Sequence, residues 1–223
     1  MKYDVLIVGA GVTGALLFLA LKNKKLKVGL IDGRESPPNS YRHLSLNNKS
    51  KSFLEMLDAW KEISKTSFAY NQIKVWDQEG SGFIDFNVNE LDSNISNIGH
   101  IVKEGDIQKI LLSNFLEAKD LIWGCNLNGI ENTNGQVICD TSKGKIETKI
   151  LVGADGINSS VRNFSSISTR TWSYNQTAIV ANFTATKIDQ CIRQTFTSVG
   201  PLALLPMNED ELTMIWSIDD AKA

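Results

Sequence analysis

Three glycines near the N-terminus have the spacing of a phosphate-binding turn. Gly9, Gly11 and Gly14 form a GxGxxG pattern between an apolar run, residues 3–8, and a helix-forming stretch, residues 15–21. In that context Gly9 allows a tight turn, Gly11 leaves room for a pyrophosphate, and Gly14 lets the helix pack close to the strand. The helix N-terminus adds unpaired N–H groups and a partial positive charge. The pattern therefore predicts a dinucleotide-binding corner.

An acidic residue follows at the position where a ribose contact is expected. A second apolar run, residues 26–31, ends at Asp32, which is the usual distance of about twenty residues beyond the glycines. We predict that Asp32 accepts hydrogen bonds from the adenosine ribose hydroxyls. Two alternatives stay open at this stage, namely a glycine-rich turn that binds nothing and a turn that binds NAD rather than FAD.

Composition narrows the classes of function. The chain has 223 residues, of which 42% are hydrophobic and 22% charged, so it is expected to bury a core in one large or two small domains. The formal net charge of -2 lacks the basic excess that binding to a phosphate backbone requires. We therefore expect no nucleic-acid partner.

The cysteines and the N-terminal apolar stretch argue against four other readings, namely a metal site, a disulfide framework, a signal peptide and a membrane span. Cys125, Cys139 and Cys191 form no CxxC pair, which predicts buried free thiols rather than a metal site or a disulfide framework. The apolar stretch of residues 5–21 contains spaced glycines and lacks a small-residue cleavage site after it. It is therefore predicted to be part of the fold rather than a signal peptide or a membrane span.

The rest of the chain mixes helices with many strands. Apolar periodicity and turn residues predict helices over residues 50–60 and 106–116, a hairpin over 73–86, two strands within 136–152, and strands over 178–183, 201–206 and 212–218. This order indicates a nucleotide-binding α/β part with β-rich insertions. Two domains built from interleaved segments are the expected result.

A second motif follows the predicted strand that ends near residue 152. Asp155 and Gly156 stand in a GADGxxSxVR pattern, with Ser159 and Arg162 at its later positions. Taken alone, an Asp–Gly turn with a helix-capping serine is the simpler explanation. Together with the first motif, however, the pattern resembles that of the flavoprotein aromatic hydroxylases, the class of para-hydroxybenzoate hydroxylase.

The resemblance extends over essentially all of the chain, and it is to one branch within this class of hydroxylases. It is to the ubiquinone-biosynthesis hydroxylases, and the last two of its segments are specific to that branch. The segments are residues 42–46, RHLSL; 53–60, FLEMLDAW; 74–77, KVWD; 100–102, HIV; 172–181, WSYNQTAIVA; and 200–206, GPLALLP.

The resemblance implies a fold and a set of site residues. The implied fold class is α/β, with a Rossmann-like FAD-binding domain over residues 1–70 and 98–166 and an interleaved, partial β-rich substrate domain over 71–97 and 167–223. The implied cofactor-binding residues are Gly9, Gly11, Gly14, Asp32, Arg42, Asp155 and Gly156, and those suspected of lining the substrate side are Gly200 and Pro201. For Arg42, a solvated loop arginine is nearly as good an explanation.

The resemblance also implies an activity. An enzyme of this kind binds FAD, uses NAD(P)H as co-substrate, and hydroxylates the ring of a small-molecule polyprenyl phenol with dioxygen. The chemistry is borne by the flavin, so no catalytic side chain and no metal are expected. The implied location is the cytoplasm, with possible peripheral contact to the inner membrane, and the implied assembly is a multiprotein ubiquinone-synthesis complex.

One family segment has no counterpart here. The family continues with a GDAAHxxxPxxGQGxN motif that contacts the flavin, and no part of these 223 residues matches it. We therefore expect a chain truncated at the C-terminus. Alternatives to the hydroxylase are a related FAD-dependent reductase or halogenase, and a degenerate non-catalytic flavoprotein that acts as an assembly partner.

Overall fold

The computed structural model describes residues 1–22, 24–37, 39–91, 94–117, 119–133 and 135–223. Its contacts divide the chain into two compact units, each built from two segments. The first unit comprises residues 1–42 and 104–170, and the second comprises residues 43–103 and 171–223. The chain therefore interleaves two units, an α/β unit and a β-rich unit, and the predicted α/β fold class is confirmed.

The helices and strands of the described residues are named in chain order. They are β1 (Lys2–Val8), α1 (Val12–Lys22), β2 (Val28–Ile31), β3 (His43–Asn47), α2 (Asn48–Met56), α3 (Trp60–Ile63), β4 (Phe68–Tyr70), β5 (Gln72–Asp77), β6 (Phe83–Asn87), β7 (Gly99–Lys103), α4 (Glu104–Asn114), β8 (Leu121–Ile122), β9 (Leu127–Thr133), β10 (Gln136–Thr141), β11 (Ile146–Gly153), α5 (Ser160–Phe164), β12 (Gln176–Thr184), β13 (Cys191–Thr197), β14 (Gly200–Pro206) and β15 (Glu211–Asp219). Short 3-10 turns cover Ser64–Thr66, Val88–Glu90 and Asp220–Lys222.

The first unit is built on a six-stranded sheet in the order β8-β2-β1-β11-β10-β9. Its centre is parallel, and β1 is an unbroken apolar run because both faces of a central parallel strand are covered. Leu6 and Ile7 are fully buried. Val8 at the end of β1 is paired with Ile31 on one side and Gly153 on the other. The residues that follow these three strands therefore leave the sheet side by side.

The second unit contains two sheets. One has six strands in the order β12-β15-β14-β13-β5-β6, and the other has three in the order β3-β7-β4. A core around Tyr70, Ile101 and Leu205 joins residues of both sheets. The predicted hairpin over residues 73–86 is confirmed as the antiparallel pair of β5 and β6.

The unit bounds differ from the domain bounds predicted from the sequence. Residues 43–70 and 98–103, predicted for the FAD-binding domain, lie in the second unit because β3 and β4 both pair with β7. Residues 167–170, predicted for the substrate domain, lie in the first unit. The assignment of each unit to a cofactor or a substrate stays a prediction.

Two other expectations have clear outcomes. The predicted helix over residues 50–60 is interrupted at Asp58, whose φ of +57° cannot continue an α-helix, and it appears as α2 and α3. Cys125, Cys139 and Cys191 are free and buried, as predicted, and burial raises the pKa of the Cys139 thiol to about 11.

The apolar stretch of residues 5–21 is divided between β1 and α1. In the described part of the chain, no helix has both the length and the apolar character needed to cross a bilayer.

We expect Gly14→Ala to destabilise the protein, because the added Cβ would collide with the Gly9 carbonyl oxygen. The free energy of unfolding should fall by roughly 1–3 kcal/mol, as for other overpacked sites. Urea denaturation followed by circular dichroism measures it. Gly129→Ala is the matched control, since its nearest neighbour would be Asp140 Cβ at 3.9 Å. Equal stability of the two variants would show that the corner between β1 and α1 is not tightly packed.

A candidate dinucleotide-binding cleft

A cleft of about 690 Å³ lies in the first unit at the edge where β1, β2 and β11 end. Five residues predicted from the two sequence motifs line it, namely Gly9, Gly11, Asp32, Asp155 and Gly156. Cavities of this size are typical of small-molecule and cofactor sites, which span roughly 300–1,000 Å³. The two motifs, far apart in sequence, thus form one concave surface.

The glycines of the first motif have different roles at this corner. Gly9 has a φ of +106°, and a Cβ there would collide with the Ala154 carbonyl oxygen. A Cβ on Gly14 would collide with the Gly9 carbonyl oxygen. A Cβ on Gly11 would have no heavy atom within 4 Å. Gly9 and Gly14 are therefore required by the fold, whereas Gly11 leaves open space in the cleft.

That open space lies next to the beginning of α1. The first N–H groups of an α-helix have no partner within the helix, so they are available to an anion. Gln108 on α4, which is 3% exposed, holds the turn from behind by donating from Nε2 to the Ala10 carbonyl oxygen at 2.8 Å. Sequence reasoning did not identify Gln108. In the sequence, Gln108 is a polar residue beside the apolar residues of a predicted helix. Its hydrogen bond to the turn becomes visible only in the folded structure.

Asp32 is buried at the end of β2, and its carboxylate accepts four hydrogen bonds. Ala10 N donates at 2.7 Å, and Arg34 donates from its backbone N at 2.9 Å, from Nε at 2.8 Å and from Nη2 at 2.6 Å. Burial would raise the pKa of Asp32, but these hydrogen bonds outweigh it and lower the pKa below its ordinary value. Asp32 is therefore ionised and lines the cleft, and its predicted contact with a ribose stays a prediction.

Arg34 and Asn126 are residues of this cleft that sequence reasoning missed. Arg34 follows Asp32 by two positions and forms an ion pair with it. The acid of the motif does not by itself predict this basic partner. Asn126 reaches the cleft from the turn between β8 and β9, and its Oδ1 occupies the place where a Gly33 side chain would lie. Both residues lie beside Asp32, on the side of the cleft predicted for adenosine.

Asp155 accepts hydrogen bonds at the start of α5, whose N-cap residue is Ser159. Its Oδ1 accepts from Ser159 Oγ at 2.6 Å, and its Oδ2 accepts from the backbone N of Ser160 at 2.6 Å and of Val161 at 3.2 Å. Burial would raise its pKa, but the hydrogen bonds from Ser159 and Ser160 lower it overall. The capped Asp–Gly turn expected from the sequence is thus present. Gly156 in this turn has a φ of +81° and lines the cleft.

The other predicted site residues lie elsewhere in the structure. The Arg42 side chain is 76% exposed, with Nε at 3.9 Å from Glu104 Oε2, and it does not line the described part of the cleft. Gly200 and Pro201 belong to the second unit. Gly200 is required by the fold, because a Cβ would collide with the Ser217 carbonyl oxygen on the neighbouring strand. The functional roles of these three residues stay predictions.

Comparison with known proteins decides the family. The FAD-binding domain family matches residues 2–222, which is nearly the whole chain. The chain belongs to this family. The predicted membership of the flavin-dependent aromatic monooxygenases is confirmed by this match together with the similarity to known monooxygenases.

The relatives of this FAD-binding domain include ubiquinone-biosynthesis enzymes. It is 28% identical over 241 residues to the mitochondrial ubiquinone biosynthesis monooxygenase COQ6 of Homo sapiens, with 96% of this chain and 51% of that protein covered. It is 29% identical over 252 residues to the protein of the same name from Schizosaccharomyces pombe, with 97% and 50% covered. The chain spans about half the length of these curated relatives.

Solved structures confirm the fold. PqsL, a probable FAD-dependent monooxygenase from Pseudomonas aeruginosa, gives a TM-score of 0.83 at 19% identity, with 100% of this chain and 62% of that chain covered. A variant of HpxO from Klebsiella pneumoniae, complexed with FAD, gives a TM-score of 0.81 at 13% identity, covering 98% and 57%. The chain therefore shares the fold of these two proteins.

The residues of the FAD-binding domain fit the adenosine diphosphate part of FAD. Gly11 leaves the space that a diphosphate needs, α1 directs N–H groups toward it, and Asp32 with Arg34 forms a polar wall for the sugar. Asp155 and Gly156 also line the cleft. The fit rests on these positions in the first unit alone.

We expect Gly11→Asp to weaken FAD binding by more than about a hundredfold, because its carboxylate would occupy the open space and repel a diphosphate. The far-ultraviolet circular dichroism should be unchanged, since a Cβ at this position has no neighbouring heavy atom within 4 Å. Quenching of FAD fluorescence measures the affinity. Gly11→Asn separates size from charge, and Gly129→Asp adds the same charge on β9. Unaltered affinity in Gly11→Asp would exclude this placement of the phosphates.

Asp155→Asn should lower stability in a pH-dependent way. Because the pKa of Asp155 is lowered in the folded protein, its ionised form stabilises the fold above the ordinary value of 3.8, and this contribution is lost as the pH falls through the folded pKa. At neutral pH we expect a loss of roughly 1–3 kcal/mol in the free energy of unfolding, since an amide cannot accept all the hydrogen bonds that the carboxylate accepts.

The difference between Asp155→Asn and the unmodified protein should therefore shrink as the pH falls below 3.8. Urea denaturation across a pH series measures it. Asp140→Asn, an exposed carboxylate on β10, is the control and should show little difference at any pH. A constant difference down to about pH 2 would mean that the carboxylate charge is not what stabilises the turn.

Proposed function

We propose that this chain forms the FAD-binding portion of a flavin-dependent monooxygenase that hydroxylates the ring of a polyprenyl phenol in ubiquinone biosynthesis. The observation that carries the proposal is the joining of the two motifs in one cleft, with Gly11 and Gly156 on its walls and an ionised Asp32 at one end. The ubiquinone-biosynthesis relatives support the substrate class.

In this proposal the residues of the chain bind and orient the cofactor. The N-terminus of α1 and the backbone at Gly11 hold the pyrophosphate, while Asp32 and Arg34 face the adenosine. Gln108 and Asp155 act indirectly. They fix the backbone of the two turns through hydrogen bonds to Ala10 and to the start of α5. Such fixed N–H groups need no rearrangement when an anion binds.

When bound, FAD supplies the redox chemistry, with electrons from NAD(P)H and oxygen from dioxygen. No acid–base side chain in the cleft is needed for that step. The proposed substrate carries an apolar polyprenyl tail, so the proposal includes contact with a membrane surface and with other proteins of ubiquinone synthesis. A cytoplasmic location peripheral to the inner membrane belongs to the same proposal.

The proposal predicts that the purified chain binds FAD, and that the monooxygenase containing it, given a prenylated phenol, oxidises NADH or NADPH while adding one oxygen atom to the ring. Absorbance at the flavin bands measures binding, loss of NAD(P)H absorbance measures turnover, and mass spectrometry identifies the product. Gly11→Asp is the matched variant and should lose all three signals.

Two results would contradict the proposal in different ways. FAD binding without reduction by either nicotinamide nucleotide would favour the non-catalytic flavoprotein. Reduction and product formation without oxygen insertion would favour a related FAD-dependent reductase.

A further inference from the structure

One edge of the six-stranded sheet in the second unit lacks the features that normally protect a sheet edge. β12 lies at one end of the strand order and pairs with β15, in an unbroken register from Gln176 opposite Asp219 to Thr184 opposite Glu211. Among the described residues, the N–H and C=O groups on its other side have no strand partner. The sequence of β12, QTAIVANFT, contains no charge, proline or glycine. Such an edge is a template for another strand.

The other sheet edges in the described part of the chain are short or interrupted. β6, at the opposite edge of the same sheet, has five residues and carries Asp85. In the sheet of the first unit, β8 has two residues, and β9 carries Gly129 and Glu131. The three-stranded sheet ends in β3 and β4, which have five and three residues. Short strands and charges are usual protections against edge-to-edge pairing. β12, with nine residues, has neither.

Apolar side chains are exposed along the same segment. Val180 in the middle of β12 is 54% exposed, and Phe183 near its end is 47% exposed. Just before the strand, Trp172 and Tyr174 are 65% and 77% exposed, and their ring centroids lie 6.3 Å apart in an edge-to-face arrangement. Aromatic residues are enriched at protein–protein interfaces. Residues 172–184 therefore form one surface, which we call the β12 edge.

We propose that the β12 edge pairs with the β12 edge of a second copy of this chain, antiparallel and about a two-fold axis at Val180. This pairing does not depend on a bound cofactor. It places Val180 opposite itself, Ala178 opposite Asn182 and Gln176 opposite Thr184, so that the two strands overlap along their whole length. A cross-strand pair of β-branched residues is favourable, and no position brings two like charges together.

The chemistry of the edge favours this occupant. A row of free N–H and C=O groups is matched by an extended polypeptide, which adds a strand to the sheet. A charged peptide would gain no ion pair from the uncharged β12, whereas a second β12 would meet no repulsion. β15 already holds β12 in the extended form, so little further ordering of the chain is required. Pairing about a two-fold axis covers both β12 edges and ends the assembly at a dimer.

Sedimentation velocity at a series of protein concentrations tests the association. The contact consists of one strand pair and a few aromatic side chains, so we expect a dimer with a dissociation constant on the order of micromolar. A protein that stays monomeric at concentrations roughly a hundredfold above that value would overturn the proposal. Species that keep growing with concentration would also overturn it, because they would indicate head-to-tail pairing of β12 with β6.

Two variants of one residue test the register. Val180→Lys and Val180→Glu should each raise the dissociation constant by about a hundredfold or more, because two like charges would face each other at the axis. An equimolar mixture of the two variants should dimerise again, since a lysine would then face a glutamate. Recovery in the mixture would show that both variants are folded. Ile84→Lys, at a 51% exposed position of β6, is the matched control and should dimerise like the unmodified protein.

Hydrogen–deuterium exchange tests whether the backbone edge is the contact. In the dimer, the outward-facing amides of β12 should exchange about tenfold or more slowly compared with Val180→Lys, because they gain hydrogen bonds. Three results would contradict pairing at the β12 edge. They are a dimer with unchanged exchange in β12, dimers that persist in both single variants, and a mixture of the variants that stays monomeric.

Discussion

The pairing of β1 with β11 is the constraint on which the candidate site depends. Its parallel register places Val8 opposite Gly153, so that two motifs more than a hundred positions apart in the chain emerge at one sheet edge. Two backbone hydrogen bonds continue the ladder into the turns, from Gly9 N to the Ile31 carbonyl at 2.8 Å and from Ala154 N to the Val8 carbonyl at 2.7 Å. Ligands of open α/β sheets bind at this edge because the loops there are exposed while the strands below them are rigid.

The turns at that edge are held by polar groups that are satisfied within the first unit. Gln108 bonds the Ala10 carbonyl oxygen, Asp32 bonds the Ala10 N–H, and Asp155 bonds the first N–H groups of α5. A buried polar group without a partner costs about 1–3 kcal/mol, so each of these bonds favours one backbone conformation over its alternatives. The cleft is consequently shaped by the fold itself.

Sequence patterns predicted the parts of the fold with strong local signals. The strand–glycine–helix corner, Asp32 and the β5–β6 hairpin follow from motif spacing or alternation and are present. The three-stranded sheet was not predicted, because β3, β4 and β7 have three to five residues and acquire their pairing only from distant partners. Arg34 and Gln108 were missed for a related reason. Their roles depend on what they touch, and neither has a distinctive spacing in the chain.

The same hydrogen bonds that shape the cleft also make it compatible with an anion. Two carboxylates, Asp32 and Asp155, lie on its walls, and an uncompensated carboxylate 4 Å from a phosphate would cost about 4 kcal/mol at an effective dielectric constant of 20. The charge of each carboxylate is instead compensated by hydrogen-bond donors. Arg34 and Ala10 donate to Asp32, and the start of α5 donates to Asp155. Their negative charge is thus offset by the N–H groups that donate to them. A corner built around two acids can therefore bind a diphosphate.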